Sequence, residues 1–275
     1  MEYKKVNNIK IPALGLGTWH MGGTLIANHS NDAEYIEAIK RAIDRGITHI
    51  DTAELYGAGH AEELVGKVIT NYDRKKLFIT TKVSPNHLLT KNQVINAAKN
   101  SLRRLNTDYI DLYLVHWLPP LLYHNALKNS MSAFDQLVEE GLVRHIGVSN
   151  FSVRQVKEAQ ELTKNKIITN QVEYSLLNRN PETELLDFCV KEKVILTAYT
   201  PIAKGRLNNE AFKILHEIAK KYKKTAIQVS LRYLLDKENV IAIPKMTSEA
   251  HLKEILGCLK WRLKKEDQEL LKNAF

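Results

Sequence analysis

The chain has 275 residues, 44% hydrophobic and 26% charged, enough for one large α/β core or two small ones. No apolar run approaches the roughly 20 residues a membrane helix needs, and the opening Met-Glu-Tyr-Lys-Lys lacks a signal peptide's apolar segment; a cytoplasmic protein with no membrane partner is expected. The formal charge of +9 would suit nucleic acid or a phosphorylated small molecule, but the lysines are scattered and no nucleic-acid motif accompanies them, so the expected surface is basic and solvated, with no nucleic-acid partner.

Val6-Asn7-Asn8-Ile9 places a turn pair between short β-like segments and predicts an N-terminal hairpin. Leu14 to Trp19 then reads as a short apolar strand ending in Gly17, Thr18 and Trp19. Ile36, Ile39 and Ile43 mark the stripe of a first helix, closed by Arg45-Gly46. Strands are expected at Ile47–Asp51, Leu77–Lys82, Tyr109–His116, Val143–Val148, Ile167–Val172, Val194–Tyr199 and Val240–Ile243. Helices are expected between them, at Ala61–Val68, Gln93–Leu105, Ala126–Glu140, Val153–Leu162, from Pro181 to Lys191, and at Glu210–Tyr222 and Ala226–Leu235. A polar helical tail follows to Phe275.

This alternation has the count and length of a (β/α)₈ TIM barrel with an N-terminal β-hairpin and extra helices near the C-terminus. Strands covered by helices are buried on both faces, hence their continuous apolar character. No linker or change of composition divides residues 1–275, so one domain is expected. A doubly wound sheet would carry Gly-x-Gly-x-x-Gly after its first strand; Gly15-Leu16-Gly17 supplies only half of it and no helix follows.

In such a barrel, chemistry belongs at the C-terminal ends of the strands. The polar residues there are Asp51 with Tyr56 on the following loop, Lys82, His116, Ser149 and Asn150, Gln171, Tyr199 and Lys245. A lysine, an aspartate and a histidine each ending an apolar run are costly to bury unless they meet and satisfy one another. A phenol is a poor acid near neutral pH, but an adjacent ammonium lowers its pKa, so Lys82 is expected to bring Tyr56 down while Asp51 keeps Lys82 charged. His116 would donate to a carbonyl oxygen. These groups can protonate and steer a carbonyl that gains electrons; none supplies a hydride, so a reduced cofactor is required.

The chain resembles the aldo-keto reductase family. The resemblance runs from Val6 to about Leu256 and rests on Gly15-Leu16-Gly17-Thr18-Trp19, Ile50-Asp51-Thr52-Ala53-Glu54-Leu55-Tyr56-Gly57, Thr81-Lys82, Asp111 to Trp117, Ile146 to Phe151, Asn170 to Tyr174 and Ile243-Pro244-Lys245, in the family's order. It implies Tyr56 as general acid, Asp51 and Lys82 as its supporters and His116 as the carbonyl-orienting residue. The implied reaction is hydride transfer from a reduced nicotinamide to an aldehyde or ketone. Ser149, Asn150 and Gln171 would hold the nicotinamide carboxamide and Tyr199 would stack on its ring, with Gly17, Thr18, Trp19 and Asp51 nearby. Thr200, Pro201, Ile202, Lys204, Gly205 and Leu207 would wrap the pyrophosphate.

Lys245, Met246, Ser248, His251 and Glu254 fall where the family holds the 2′-phosphate end of NADPH. Met246 replaces the usual serine, His251 an arginine, and Ile255 an asparagine. A mostly neutral imidazole does not reproduce an arginine fork, so NADH is possible beside NADPH. Trp19, Tyr56, His116 and Trp117, with Ser84-Pro85-Asn86 beside them, are expected to line the substrate pocket, and the short charged tail predicts an open mouth. His49 and His145 read as structural, His60 as a rim residue, His87 and His124 as loop surface. Cys189 and Cys258 read as reduced packing residues, and no set of His, Cys, Asp or Glu has a spacing that asks for a metal. A monomer or weak homo-oligomer is expected. The alternatives are a cofactor-sensing regulatory subunit with vestigial catalysis, and a phosphate-binding barrel enzyme using Lys82 as a Schiff base.

Overall fold

The computed structural model describes residues 1–275. An antiparallel hairpin of β1 (Tyr3–Val6) and β2 (Ile9–Pro12) comes first. Its turn is made by Asn7 and Asn8, with φ of 46° and 66°, the left-handed pair that matches the twist of a two-residue hairpin. Eight parallel strands follow side by side in chain order: β3 (Gly15–Gly17), β4 (His49–Asp51), β5 (Phe78–Val83), β6 (Ile110–Val115), β7 (Val143–Ser149), β8 (Ile167–Glu173), β9 (Ile195–Tyr199) and β10 (Val240–Ala242). The ring closes where Leu14 bridges Ala242 and the Ala242 N–H donates to the Ala13 carbonyl at 3.0 Å.

The helices between them are α1 (Asp32–Asp44), α2 (His60–Ile69), α3 (Lys91–Leu105), α4 (Tyr123–Glu139), α5 (Val153–Glu161), α6 (Leu185–Lys191), α7 (Lys213–Tyr222) and α8 (Ala226–Asp236). Three begin on reciprocal caps, Thr90 with Gln93, Ser152 with Gln155 and Thr225 with Gln228, which satisfy amide groups that a helix start leaves unpaired. The apolar stripes of the helices and the outward faces of the strands form one large core. A smaller cluster fills the barrel interior: Val6 and Ile11 of the hairpin pack against Leu112, Leu114, Ile168, Ile195 and Ile241. The hairpin thus plugs the N-terminal end and leaves the C-terminal end as the mouth. No helix is long and apolar enough to cross a membrane.

Two expectations are corrected. Pro181 does not open α6; it lies in a separate 3₁₀ turn, Asn180–Glu182. The Glu182 carboxylate accepts from the Tyr174 and Tyr233 hydroxyls at 2.6 and 2.9 Å, and this holds the turn against the core. The tail is two helices, α9 (Glu249–Leu256) and α10 (Lys265–Ala274). The second is anchored by the buried Asp267, which accepts from Lys221 Nζ at 2.8 Å and from the Tyr222 hydroxyl at 2.5 Å.

Candidate active site

Parallel pairing sets Gly17, Asp51 and Thr80 side by side at the mouth. A Cβ at Gly17 would lie 2.6 Å from the Ile243 carbonyl oxygen, so only glycine lets the end of β3 press against the segment leading to Lys245. The Thr18 hydroxyl donates to the Asp51 carbonyl at 3.0 Å, locking β3 to the end of β4.

Lys82, near the end of β5, is fully buried and points to that same end. Its Nζ donates to Asp51 Oδ2 at 2.7 Å, to the Thr52 carbonyl at 2.8 Å and to the Tyr56 hydroxyl at 3.3 Å. Gln171 Nε2 donates to the other Asp51 oxygen at 2.7 Å. Tyr56 reaches this point because its loop folds back sharply, with φ of 58° at Gly57, 52° at Ala58 and 95° at Gly59. The Tyr56 ring stands edge-on to Trp19 and His116, at centroid distances of 4.7 and 5.7 Å. Four groups that are far apart in the chain therefore meet at one point of the mouth.

Burial opposes the charge on Lys82, but Asp51 and then Tyr56 outweigh it and the ammonium is held above its ordinary pKa. Burial also draws the Asp51 carboxyl toward neutrality, against Lys82 and Gln171. The ion pair is the form that fits the geometry, because Nζ serves three acceptors at once and a neutral amine has too few hydrogens for that. Tyr56 differs from the sequence expectation. Burial pushes the phenol above its ordinary value, and the pull of Lys82 only offsets part of this; the resting side chain is a neutral phenol that keeps its proton.

For His116, burial and then the Lys82 charge bring the pKa down to about 2, so the imidazole is neutral. Its Nδ1 is buried without a partner. A bare lone pair there costs less than an unpaired N–H, which places the proton on Nε2, the nitrogen left to serve the mouth. The site therefore offers two donors, a phenol and a neutral imidazole N–H, over a buried cation.

Beside this centre, the Ser149 hydroxyl donates to the Gln171 carbonyl at 2.8 Å. Asn150, held at φ 63°, donates from Nδ2 to the His116 carbonyl at 3.1 Å and to Ser149 Oγ at 3.0 Å. The Tyr199 hydroxyl donates to Asn150 Oδ1 at 2.9 Å. The four residues form one network on the β7–β9 side of the centre, and Gln171 Oε1 accepts nothing from the protein.

On the rim, burial and then Lys245 and Lys204 lower the pKa of His20. Neither lysine has a carboxylate within ion-pair distance; Lys245 instead lies 5.6 Å over the Tyr35 ring. Two ammonium groups near one ring without a direct carboxylate contact, Glu34 acting on Lys245 only from a distance, suit an anionic ligand of the pyrophosphate kind. Lys204 and Gly205 turn through left-handed backbone, as does Thr200 at φ 52°, while Pro201 and Leu207 are buried and Ile202 half-buried. Farther round, Met246 and Ile255 are buried in the core, so Met246 has only its backbone to offer a ligand. Ser248 caps α9 by accepting the His251 N–H at 3.1 Å; the His251 side chain is exposed, and the Glu254 carbonyl accepts from Gln228. Trp19 and Trp117 are each 39% exposed, and Trp117 stands 4.5 Å from the His116 ring; together they wall the opening.

Sequence reasoning passed over the layer behind Tyr56. The buried Glu54 carboxylate accepts from the Ser84 N–H and from His87 at 3.0 Å. His87 is exposed on its turn, as expected, and with Glu54 it also ties the turn after β5 to the Tyr56 loop. Glu62, buried on α2, accepts from Thr81 Oγ1 at 2.5 Å and from Arg104 Nε at 2.6 Å. The available signal was an acid within an apolar stretch, Ala53-Glu54-Leu55.

An eight-stranded barrel whose C-terminal mouth holds a lysine–carboxylate pair, a phenol and a neutral imidazole defines a class of oxidoreductase. The chain belongs to the aldo/keto reductase family, whose sequence profile matches residues 13–274 and so reaches past Leu256 through both tail helices. It is 36% identical over 272 residues to the methylglyoxal reductase YeaE of Escherichia coli K12, covering 98% of this chain and 92% of that protein. It is 35% identical to a glyoxal reductase of Bacillus subtilis 168, covering 96% and 88%. Among solved structures, the thermostable aldo-keto reductase Tm1743, in complex with the inhibitor epalrestat, superposes with a TM-score of 0.95 at 44% identity over the full length of both chains. A Klebsiella pneumoniae aldo-keto reductase in complex with NADPH superposes at 0.87 with 35% identity, covering 99% and 95%.

Proposed function

We propose that this protein reduces the carbonyl group of small, reactive aldehydes, of the kind for which its methylglyoxal and glyoxal reductase relatives are named, using NADPH, with Tyr56 as the proton donor. The observation that carries the reading is the single buried ammonium of Lys82, shared among Asp51, Thr52 and Tyr56. NADPH, when bound, supplies the hydride that no side chain here can give. The carbonyl oxygen accepts hydrogen bonds from the Tyr56 hydroxyl and His116 Nε2. As that oxygen gains charge, Tyr56 transfers its proton, and the Lys82 ammonium stabilises the phenolate left behind. The high resting pKa of Tyr56 keeps the proton in place until the oxygen becomes basic.

Ser149, Asn150 and Gln171 would hold the carboxamide, with Tyr199 against the nicotinamide ring. The segment Thr200–Leu207 would carry the pyrophosphate, with Lys204 as its cation, and Lys245 would take the 2′-phosphate with Ser248 and His251. Lys245 supports NADPH over NADH because an unpaired ammonium gains from an extra dianion; His251 adds no bidentate fork.

Tyr56→Phe keeps the ring and removes the acid. Cofactor affinity is expected to stay within about twofold while turnover falls by about 10² or more. Turnover equal to the parent's would refute the assignment of Tyr56, whereas NADPH binding with no aldehyde-dependent turnover in the parent would favour a barrel that only senses its cofactor.

A further inference from the structure

His29, Asp32 and His60 lie outside the reactive centre, and none of them is used in the proposed reaction. His60 opens α2 and is 3% exposed; Asp32 opens α1; His29 ends the long segment after β3 and is 67% exposed. His60 Nε2 lies 2.8 Å from Asp32 Oδ1, and His29 Nδ1 lies 3.3 Å from Asp32 Oδ2. The two imidazole rings are 4.0 Å apart, and one donor atom from each of the three residues falls within 4.8 Å of the others. Donor atoms around a tetrahedral zinc ion, at about 2.0–2.1 Å from the metal, lie roughly 3.3 Å from one another. The two short contacts use different oxygens of Asp32, and the set of one donor per residue spans up to 4.8 Å, so an ion would draw it together by rotation of the Asp32 carboxylate and of the exposed His29 side chain.

A second feature points the same way. His60 Nδ1 lies 2.8 Å from Glu63 Oε2, one turn along α2. A carboxylate that accepts a hydrogen bond from one ring N–H fixes the ring orientation and leaves the other nitrogen to a metal, as in carboxylate–histidine–zinc arrangements. Glu63 holds Nδ1 of His60, while Nε2 in the metal-free arrangement donates to Asp32; a metal ion would displace that Nε2 proton and leave Glu63 to keep the ring oriented. Two imidazoles with one carboxylate favour a zinc-class ion over magnesium or calcium, which prefer all-oxygen sets.

We infer that His29, Asp32 and His60 form a zinc-class metal site, with Glu63 as the residue that orients His60 and with a fourth position open to solvent beside the exposed His29. The site joins three separate pieces of chain. The segment that ends at His29 begins at Trp19, which stands against Tyr56, and the Gly57 N–H donates to Thr24 within it at 2.6 Å. A bound ion would therefore clamp the Trp19 wall of the mouth to the starts of α1 and α2. Sequence spacing gave no sign of this set, because its members come from a loop and two different helices.

The test is calorimetric titration of chelator-treated protein with zinc chloride and, separately, magnesium chloride, followed by thermal unfolding with and without zinc. It does not depend on turnover, so it stands apart from the assignment of Tyr56. The parent is expected to take up one zinc per chain and no magnesium, and to unfold at a higher temperature with zinc. His29→Ala alters an exposed side chain and Asp32→Ala a half-buried one. Each is expected to weaken zinc binding by at least about tenfold and to abolish the thermal shift, with an unchanged circular-dichroism spectrum. No stoichiometric zinc uptake by the parent, or uptake at the parent's affinity in either variant, would overturn the site.

Discussion

Replacing Asp51 with asparagine tests the electrostatic design at its centre. The carboxylate compensates a fully buried ammonium at 2.7 Å and also accepts from Gln171 at 2.7 Å. An amide can still accept from Lys82, but its N–H₂ side then confronts the Gln171 N–H₂. Removing one partner of a buried ion pair costs about 3–5 kcal/mol. The lower end is expected, because Thr52 and Tyr56 still accept from Nζ. Urea unfolding near pH 7.5 and again near pH 10 reads this out. In the parent, the Lys82 pKa is raised, so its contribution is complete below the unfolded value and is lost only as pH climbs through the higher folded value. In the variant, burial without Asp51 depresses the folded value. That penalty is greatest at low pH and fades as pH rises toward the unfolded lysine value of about 10.4. The gap between the two proteins should therefore narrow between the two conditions. A difference below about 1 kcal/mol near pH 7.5, unchanged near pH 10, would match an exposed pair and refute the claim that the buried ion pair holds the site.

Two buried neutral imidazoles predict an acid-side loss of stability. Burial and then Lys82 bring His49 down to about 3 and His116 down to about 2. Below the unfolded value of about 6.5, only the unfolded chain takes up these two protons, so each costs about 1.4 kcal/mol per pH unit as pH falls toward the folded values. In urea unfolding between about pH 6 and pH 4, His49→Gln should remove one proton's worth of that slope; an unchanged slope would show that His49 is not held neutral. Lys245→Ala should weaken NADPH binding by about tenfold or more and NADH binding far less, as the loss of one charge-assisted contact to a phosphate requires. Fluorescence titration with both nucleotides checks this, and equal losses would remove Lys245 from the 2′-phosphate.

The order of strands and helices was legible because burial dictates it locally. A short β-branched run such as Ile47 to Asp51, opened by Gly46, favours a buried strand, and the stripe Ile36, Ile39, Ile43 repeats at the helical period. The polar residues of the mouth were legible for a related reason: Lys82 and His116 each end an apolar run, where a polar group is costly to bury. The start of α6 and the break between α9 and α10 were not. Pro181 is compatible with a helix start, and only Tyr174 and Tyr233, reaching Glu182 from elsewhere, hold it in a separate turn.

By itself, then, the amino-acid order determined which side chains would face the mouth, since strand periodicity and the cost of burying charge are properties of short segments. Only the folded barrel decided their protonation. Whether Tyr56 is drawn down by Lys82 or pushed up by burial depends on how completely the surrounding loops exclude water, a sum over distant pieces of chain that no local pattern contains. The meeting of His29, Asp32 and His60 is of the same kind: three ordinary surface-type residues in the sequence, made neighbours by the return of one loop onto two helix starts.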